Sequence, residues 1–211
     1  MQIHFIFEPD SPQRFRDLGL LAEQLGFESV WAPNILSARD PFLAFSLLAR
    51  DSRTVRMGPV AISPFELHPL KIANALLTLN ELSAGRANLV IGGGGGTMIG
   101  MGLKPDRRAT HPRMVRGVRE CLEFLRAVSP TRPLTFNGEL FQVQNYLPDW
   151  ATAPAPCLYV AANRPRMLKL AAELADGVML SDISLHYIAG TVATLHEGLA
   201  SANRPVESLR I

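Results

Sequence analysis

The sequence predicts an α/β protein built from repeated strand–helix units. Three observations carry this. Short apolar runs alternate with amphipathic segments of helical period along the whole chain. Ser11-Pro12, Asp40-Pro41 and His68-Pro69 each place a polar residue before a proline, as at a helix start. The run 86–91 is almost wholly apolar, as expected of a strand covered on both faces.

Taken in order, a strand over 2–7 leads to a helix opened by Ser11-Pro12. Phe15, Leu18, Ala22 and Leu25 recur there at helical spacing, and Gly26 ends the helix. A strand over 29–32 follows, then a helix from Asp40-Pro41 through Phe45, Leu48 and Ala49. The next unit is a strand over 55–62 and a helix from His68-Pro69 carrying Ile72, Leu76 and Leu79. After the strand over 86–91, a glycine-rich connection over 92–109 precedes a helix carrying Val115, Val118, Leu122 and Leu125. Residues 134–143, with Asn137-Gly138 at their centre, read as an inserted β-hairpin flap. A strand over 158–161, a helix over 167–175, a strand over 177–180 and a helix through Ile188, Val192, Leu195 and Leu199 complete six units. Leu209-Arg210-Ile211 resembles the first residues of a seventh strand.

Repeated units of this kind force parallel strands with right-handed crossovers. Periodicity leaves an open doubly wound sheet and part of a closed barrel equally available. A full eight-unit barrel takes about 250 residues, so a chain of 211 residues would be one cut short by roughly two units.

The composition excludes several classes. Hydrophobic residues make up 47% and charged residues 19%, which fits a large core rather than disorder. The net charge of +2 comes from scattered Lys and Arg, with no basic stripe for nucleic acid or an anionic membrane. The apolar runs are too short to cross a bilayer, and the N-terminus shows no secretory leader pattern. Cys121 and Cys157 lack metal or redox spacing and read as buried free thiols, as in a reducing cytoplasm.

Chemistry is expected where strands end. The run Gly92 to Gly96 lets backbone approach a ligand closely, although an unliganded turn would also use it. No glycine of the run has glycines both two and five residues on, and no Gly-Lys-Ser/Thr follows, so neither nucleotide-binding loop is met. Ala161-Ala162-Asn163-Arg164-Pro165 follows a strand and opens a helix. Free amides there could bind an anion in the room that the two alanines leave, or Asn163 could simply cap the helix. Glu8 could act as acid or base; the plain alternative is a solvated Glu8 with Asp10 as a cap. His4, His68, His111, His186 and His196 show no metal-ligand spacing, and His68 reads as a structural hydrogen-bonding group at a helix start. No metal is expected. Trp31 and Met98 read as packing residues.

Two long stretches carry a resemblance. "GPVAISPFELHPLKIANALLTLNELSAGR" followed by "ANLVIGGGG" resembles the luciferase-like monooxygenase superfamily. "YVAANRPRMLKLAAELADGVML" resembles its deazaflavin-dependent branch, near the methylene-tetrahydromethanopterin reductases, and "LGLLAEQLGFESVWAPN" matches the first helix and second strand. The resemblance implies a (β/α)8-type barrel with an inserted excursion, a cofactor at its C-terminal mouth, and a homodimer. It implies a non-prolyl cis peptide at Val60–Ala61, with Val60, Ala61 and Ile62 against the cofactor ring. It further places Asn34, Gly94 and Gly95 beside the cofactor, and Ala161, Ala162, Asn163, Arg164 and Pro165 on its phosphate side.

Departures narrow the chemistry. Deazaflavin alcohol and sugar-phosphate dehydrogenases carry Asp-His where this chain has Asn34-Ile35, and a catalytic Glu where it has Gly95. Relatives usually carry Gly at the position of Arg164. The resemblance therefore implies an oxidoreductase passing a hydride between coenzyme F420 and a small organic substrate, with Glu8 as proton donor. The alternatives are an FMN-dependent monooxygenase using O2 and a non-catalytic flavin-binding or structural relative.

Overall fold

In the computed structural model, Ser11 starts the first helix in the way its sequence position predicts. Its hydroxyl accepts the Arg14 amide at 3.2 Å, and Pro12 occupies the first turn of α1 (Pro12–Gln24). Asp40 does the same for α2 (Pro41–Ala44), accepting the Leu43 amide at 2.9 Å. His68 Nδ1 accepts the Leu70 amide at 3.2 Å ahead of α4 (Pro69–Leu82), the structural role expected of it. The structure describes residues 3–8, 10–102, 107–181 and 183–211. Gln2, the expected start of the first strand, and residues 103–106 of the glycine-rich connection lie outside them.

The strands β1 (His4–Ile6), β2 (Ser29–Pro33) and β3 (Arg56–Val60) form one parallel sheet in that order. A second parallel sheet runs β4 (Asn88–Ile91), β7 (Cys157–Ala161), β8 (Gly177–Met179). Bridges at Met57–Ala87 and Ile62–Ile91 join β3 to β4, and Gly177–Arg210 begins the next pairing. The expected six strands therefore lie side by side in sequence order, and both sheets are open. β3 and β4 approach so closely that a Cβ on Gly58 would collide with the Asn88 carbonyl.

Alternation along the strands separates two apolar layers. Val30, Met57, Leu89, Ile91, Val160 and Val178 point at the helices and form the main core with Phe15, Leu76, Leu122 and Leu170. Trp31, Val90 and Tyr159 occupy the opposite face, with Trp31 and Tyr159 edge-to-face at 5.3 Å. Trp31 and Met98 are both buried, as packing residues should be. Cys121 is fully buried and its thiol is pushed up by desolvation, whereas Cys157 is only partly covered.

Long-range polar contacts fix the helices. The Arg86 guanidinium donates to Ser52 Oγ and to the carbonyls of Val55, Ala49 and Ser52 at 2.7–3.1 Å, tying β4 to α3 (Ser46–Asp51). Glu23 accepts the amides of Arg53, Thr54 and Val55 at 2.8–3.2 Å. Arg204 donates to the carbonyls of Ala172 and Ala175 at the end of α7 (Pro165–Leu174), just before the chain returns towards β8.

Three local expectations change. The helix from Asp40 is two short helices, α2 and α3, that meet at Phe45. The glycine-rich connection contains a helix, α5 (Gly95–Gly100), entered through Gly94 at φ +75°. The flap is a hairpin, but Asn137-Gly138 is not its two-residue turn. β5 (Leu134–Asn137) and β6 (Gln142–Tyr146) pair Asn137 with Gln142, leaving a loop over 138–141. The reason is tertiary. Buried Glu120 of α6 (Arg107–Ala127) accepts the amides of Glu139, Leu140 and Phe141 at 2.9–3.1 Å and holds the wider loop.

Candidate active site

Parallel strands bring every residue that follows a strand to one end of the sheet. Glu8 stands there two residues after β1, exposed; Asp10 accepts the Ser11 amide at 2.7 Å and leaves the helix cap to Ser11. Asn34 follows β2, and its backbone amide donates to Val60 O at 2.8 Å. The Val60–Ala61 peptide after it is cis, as the resemblance implies.

The ends of β3, β4 and β7 form a floor of small side chains. A Cβ placed on Gly92 would lie 3.1 Å from Ala61 Cβ and 3.5 Å from Ala161 Cβ, so these three positions sit in one row. The backbone around the row is already spent: Ile62 N donates to Val90 O, and Gly92 N donates to Ile62 O, both at 2.9 Å. The Ile62 side chain is buried in the main core. Next to the row, Ser63 Oγ bonds Gly93 O and the Phe65 amide at 3.2 Å each, which locks the turn after β3 to the glycine run. A Cβ on Gly94 would strike the Ser63 side chain, so this glycine is required by packing and by its positive φ. Gly95 begins α5, near Met114.

The segment after β7 divides its roles differently from the local reading. Asn163 does not cap α7. Its side chain exchanges bonds with Ser181, donating to the carbonyl at 2.6 Å and accepting the amide at 3.2 Å, which joins the ends of β7 and β8. Arg164 is the N-cap residue, makes no side-chain capping bond, and precedes Pro165 at the first turn. Arg164 and Pro165 line a cleft of about 620 Å³ with Asn163, His186 and Tyr187. The Ala162 methyl is buried in the main core, and the Ala162 amide donates to Met179 O at 3.1 Å; Ala161 packs with Tyr159 on the opposite face of the sheet.

One residue of the site was invisible to local pattern. Asn34 Nδ2 donates both to Ala61 O, at 3.2 Å, and to Glu66 Oε1. Glu66 lies in the turn between β3 and α4, thirty-two residues from Asn34, and no spacing rule singles it out. The flap reaches the same turn: Phe141 packs on Phe65 at 5.8 Å and on His68 at 5.5 Å. Among the described residues no cluster of His, Cys, Asp and Glu could hold a metal ion, and no helix is long and apolar enough to cross a membrane.

The family model for luciferase-like monooxygenases matches residues 4–211. The 5,10-methylenetetrahydromethanopterin reductase of Archaeoglobus fulgidus is 32% identical over 162 residues, which are 76% of this chain and 47% of that protein. The structure of the coenzyme F420 dependent tetrahydromethanopterin reductase from Methanopyrus kandleri superposes with a TM-score of 0.81 at 25% identity, covering 99% of this chain and 63% of that one. An F420-dependent secondary alcohol dehydrogenase shares the fold at a TM-score of 0.85 and 19% identity, over 99% of this chain and 67% of its own. The chain spans about half the length of the curated relatives it matches. With the match running over nearly the whole sequence and the strand-end site in place, this chain belongs to the luciferase-like monooxygenase family.

Proposed function

We propose that the six units form part of a (β/α)8-type barrel whose mouth holds coenzyme F420, and that the protein exchanges a hydride with a small organic substrate. The observation that carries this is the row Ala61, Gly92, Ala161. Three neighbouring strand ends that present nothing larger than a methyl group make a flat bed on which a tricyclic ring can lie. Beside the bed, the uncapped start of α7 and the exposed Arg164 offer positive potential for the phosphate side of the same molecule. The chain's residues thus fit a cofactor with a planar ring and an anionic tail.

A bound deazaflavin supplies the two-electron hydride carrier, and the protein supplies orientation and electrostatics. In this reading Ala61, Gly92 and Ala161 support the ring, Gly94 and Gly95 shape its edge, and Asn163, Arg164 and Pro165 receive the phosphate. Asn34 fixes the Val60-Ala61 backbone under the ring. Glu8, exposed at the same end of the sheet, is the proton donor. The relatives' printed names support reductase chemistry on F420, and the family name also covers monooxygenases. A homodimer follows the resemblance and is read by size-exclusion chromatography.

Fluorescence titration with F420 and with FMN, followed by turnover, tests the reading. Saturable F420 binding with hydride transfer is expected. FMN binding with O2 consumption would replace it with the monooxygenase alternative, and binding without turnover would favour a silent relative.

A further inference from the structure

A buried carboxylate oxygen without a donor costs free energy, and folded proteins retain few such atoms. Glu66 carries one. Its Oε1 accepts from Asn34 Nδ2, whereas Oε2 is buried with no partner. The group is not a mobile rim carboxylate. Glu66 N and Leu67 N both donate to Ser63 O at 3.1 Å, which fixes the backbone of the turn. The side chain is held by Asn34, and Asn34 is held in turn by Val60 O and Ala61 O. Because Glu66 Oε1 and Ala61 O share one nitrogen, the carboxylate lies a single hydrogen-bonded atom from the small-residue bed.

A residue needed only to hold Asn34 requires one acceptor, and glutamine would provide it without stranding an anionic oxygen. We propose that Glu66 is a ligand-binding carboxylate whose Oε2 accepts a hydrogen bond from an N–H or O–H group of a heterocycle lying over Ala61. This inference rests on the cofactor site described above. The donor belongs either to the cofactor ring or to a substrate stacked on it, and both share the same chemistry: a polar edge with a hydrogen to give.

Glu66→Gln is the discriminating variant. It keeps an acceptor for Asn34 and nearly the same shape, and it puts an amide donor where the unpartnered acceptor Oε2 now lies. Binding of F420 and FMN is measured by fluorescence quenching. Binding of 5,10-methylenetetrahydromethanopterin to the F420-loaded protein is measured in the same way, and thermal midpoints are recorded alongside. A loss of F420 affinity of about tenfold or more at an unchanged midpoint assigns the donor to the cofactor. Unchanged F420 affinity with the same loss for the pterin assigns it to the substrate. Should Gln unfold the turn, Glu66→Asp keeps the charge, shifts it by one methylene, and is read by the same affinity ratios. Unchanged F420 affinity without any Glu66-dependent pterin binding overturns the proposal. Failure of the parent protein to bind either F420 or FMN is a different result: it removes the cofactor reading, and this proposal falls with it.

Discussion

Asn34 holds the carbonyl oxygen of Ala61 at 3.2 Å with the same side-chain nitrogen that it gives to Glu66. One amide therefore ties the end of β2 to both parts of the β3–α4 turn. Asn34→Ala removes both bonds and should cost about 1–2 kcal/mol in urea denaturation, with weaker F420 binding. Asn34→Asp should be worse, because a carboxylate there has no hydrogen to give and faces two acceptors. An Asn34→Asp protein with parental stability and affinity would show that the amide positions nothing.

Arg86 should matter more to stability than to binding. Its guanidinium serves four acceptors around α3 and the start of β3, and no carboxylate is among them. Arg86→Met leaves those acceptors unpaired and should lower stability by about 2–4 kcal/mol. Arg86→Lys should recover only part of this, since one ammonium cannot span a set of acceptors arranged for a fork. Urea midpoints of the three proteins check the order.

Acid should unfold the protein in a defined window. Burial opposes ionisation of Glu23, but the amides of Val55, Thr54 and Arg53 outweigh it and hold the carboxyl below its ordinary 4.5. Hydrogen bonds from Arg50 and Arg16 hold Asp51 down at about 2 from an ordinary 3.8. Both groups have depressed values in the folded state, so their contribution is full above the ordinary carboxylate range and is lost as pH falls towards 2. Thermal midpoints should drop between about pH 4.5 and 2. Glu23→Gln should start lower and fall less steeply, and an equal slope in both proteins would remove Glu23 from the account.

Glu120 should govern the flap. Replacing it with Ala strips three amides of the 138–141 loop of their acceptor. The expected cost is about 1–3 kcal/mol, with new protease cleavage within 138–141 as the direct readout. Phe141 would then lose its fixed place on Phe65 and His68. Cleavage unchanged from the parent would mean that strand pairing alone holds the loop.

Charge at Arg164 should be read in salt dependence. Arg164→Glu is exposed, so the fold should tolerate it, unlike Ala162→Asp, which would bury a carboxylate in the core. If Arg164 faces the cofactor's phosphate, the variant should weaken F420 binding by about tenfold at low salt, and the gap should narrow as salt screens it. A variant with parental affinity at every salt concentration would move the phosphate elsewhere.

The sequence by itself determined the six strand–helix units and their order, though not the break at Phe45 or the helix α5. Ser11, Asp40 and His68 each cap a helix through an amide two or three residues away, and Pro at the first turn sets the backbone locally. Short apolar runs between segments of helical period identified all six parallel strands, because strands covered on both faces are apolar throughout. Only the tertiary structure decided what the strand ends do. The Asn34–Glu66 bond spans thirty-two residues, the Ser63–Gly93 bond thirty, and the Asn163–Ser181 exchange eighteen. Locally, Asn163 can cap the helix that follows it, and Asn137-Gly138 can make a tight turn. Both readings change where a distant partner takes over from the local one: Ser181 takes the Asn163 side-chain amide, and Glu120 opens the hairpin loop. Hydrogen-bond energy depends on which groups the fold brings within about 3 Å, whatever their separation in the chain. That is why the strands were legible in the sequence and the carboxylate of Glu66 was not.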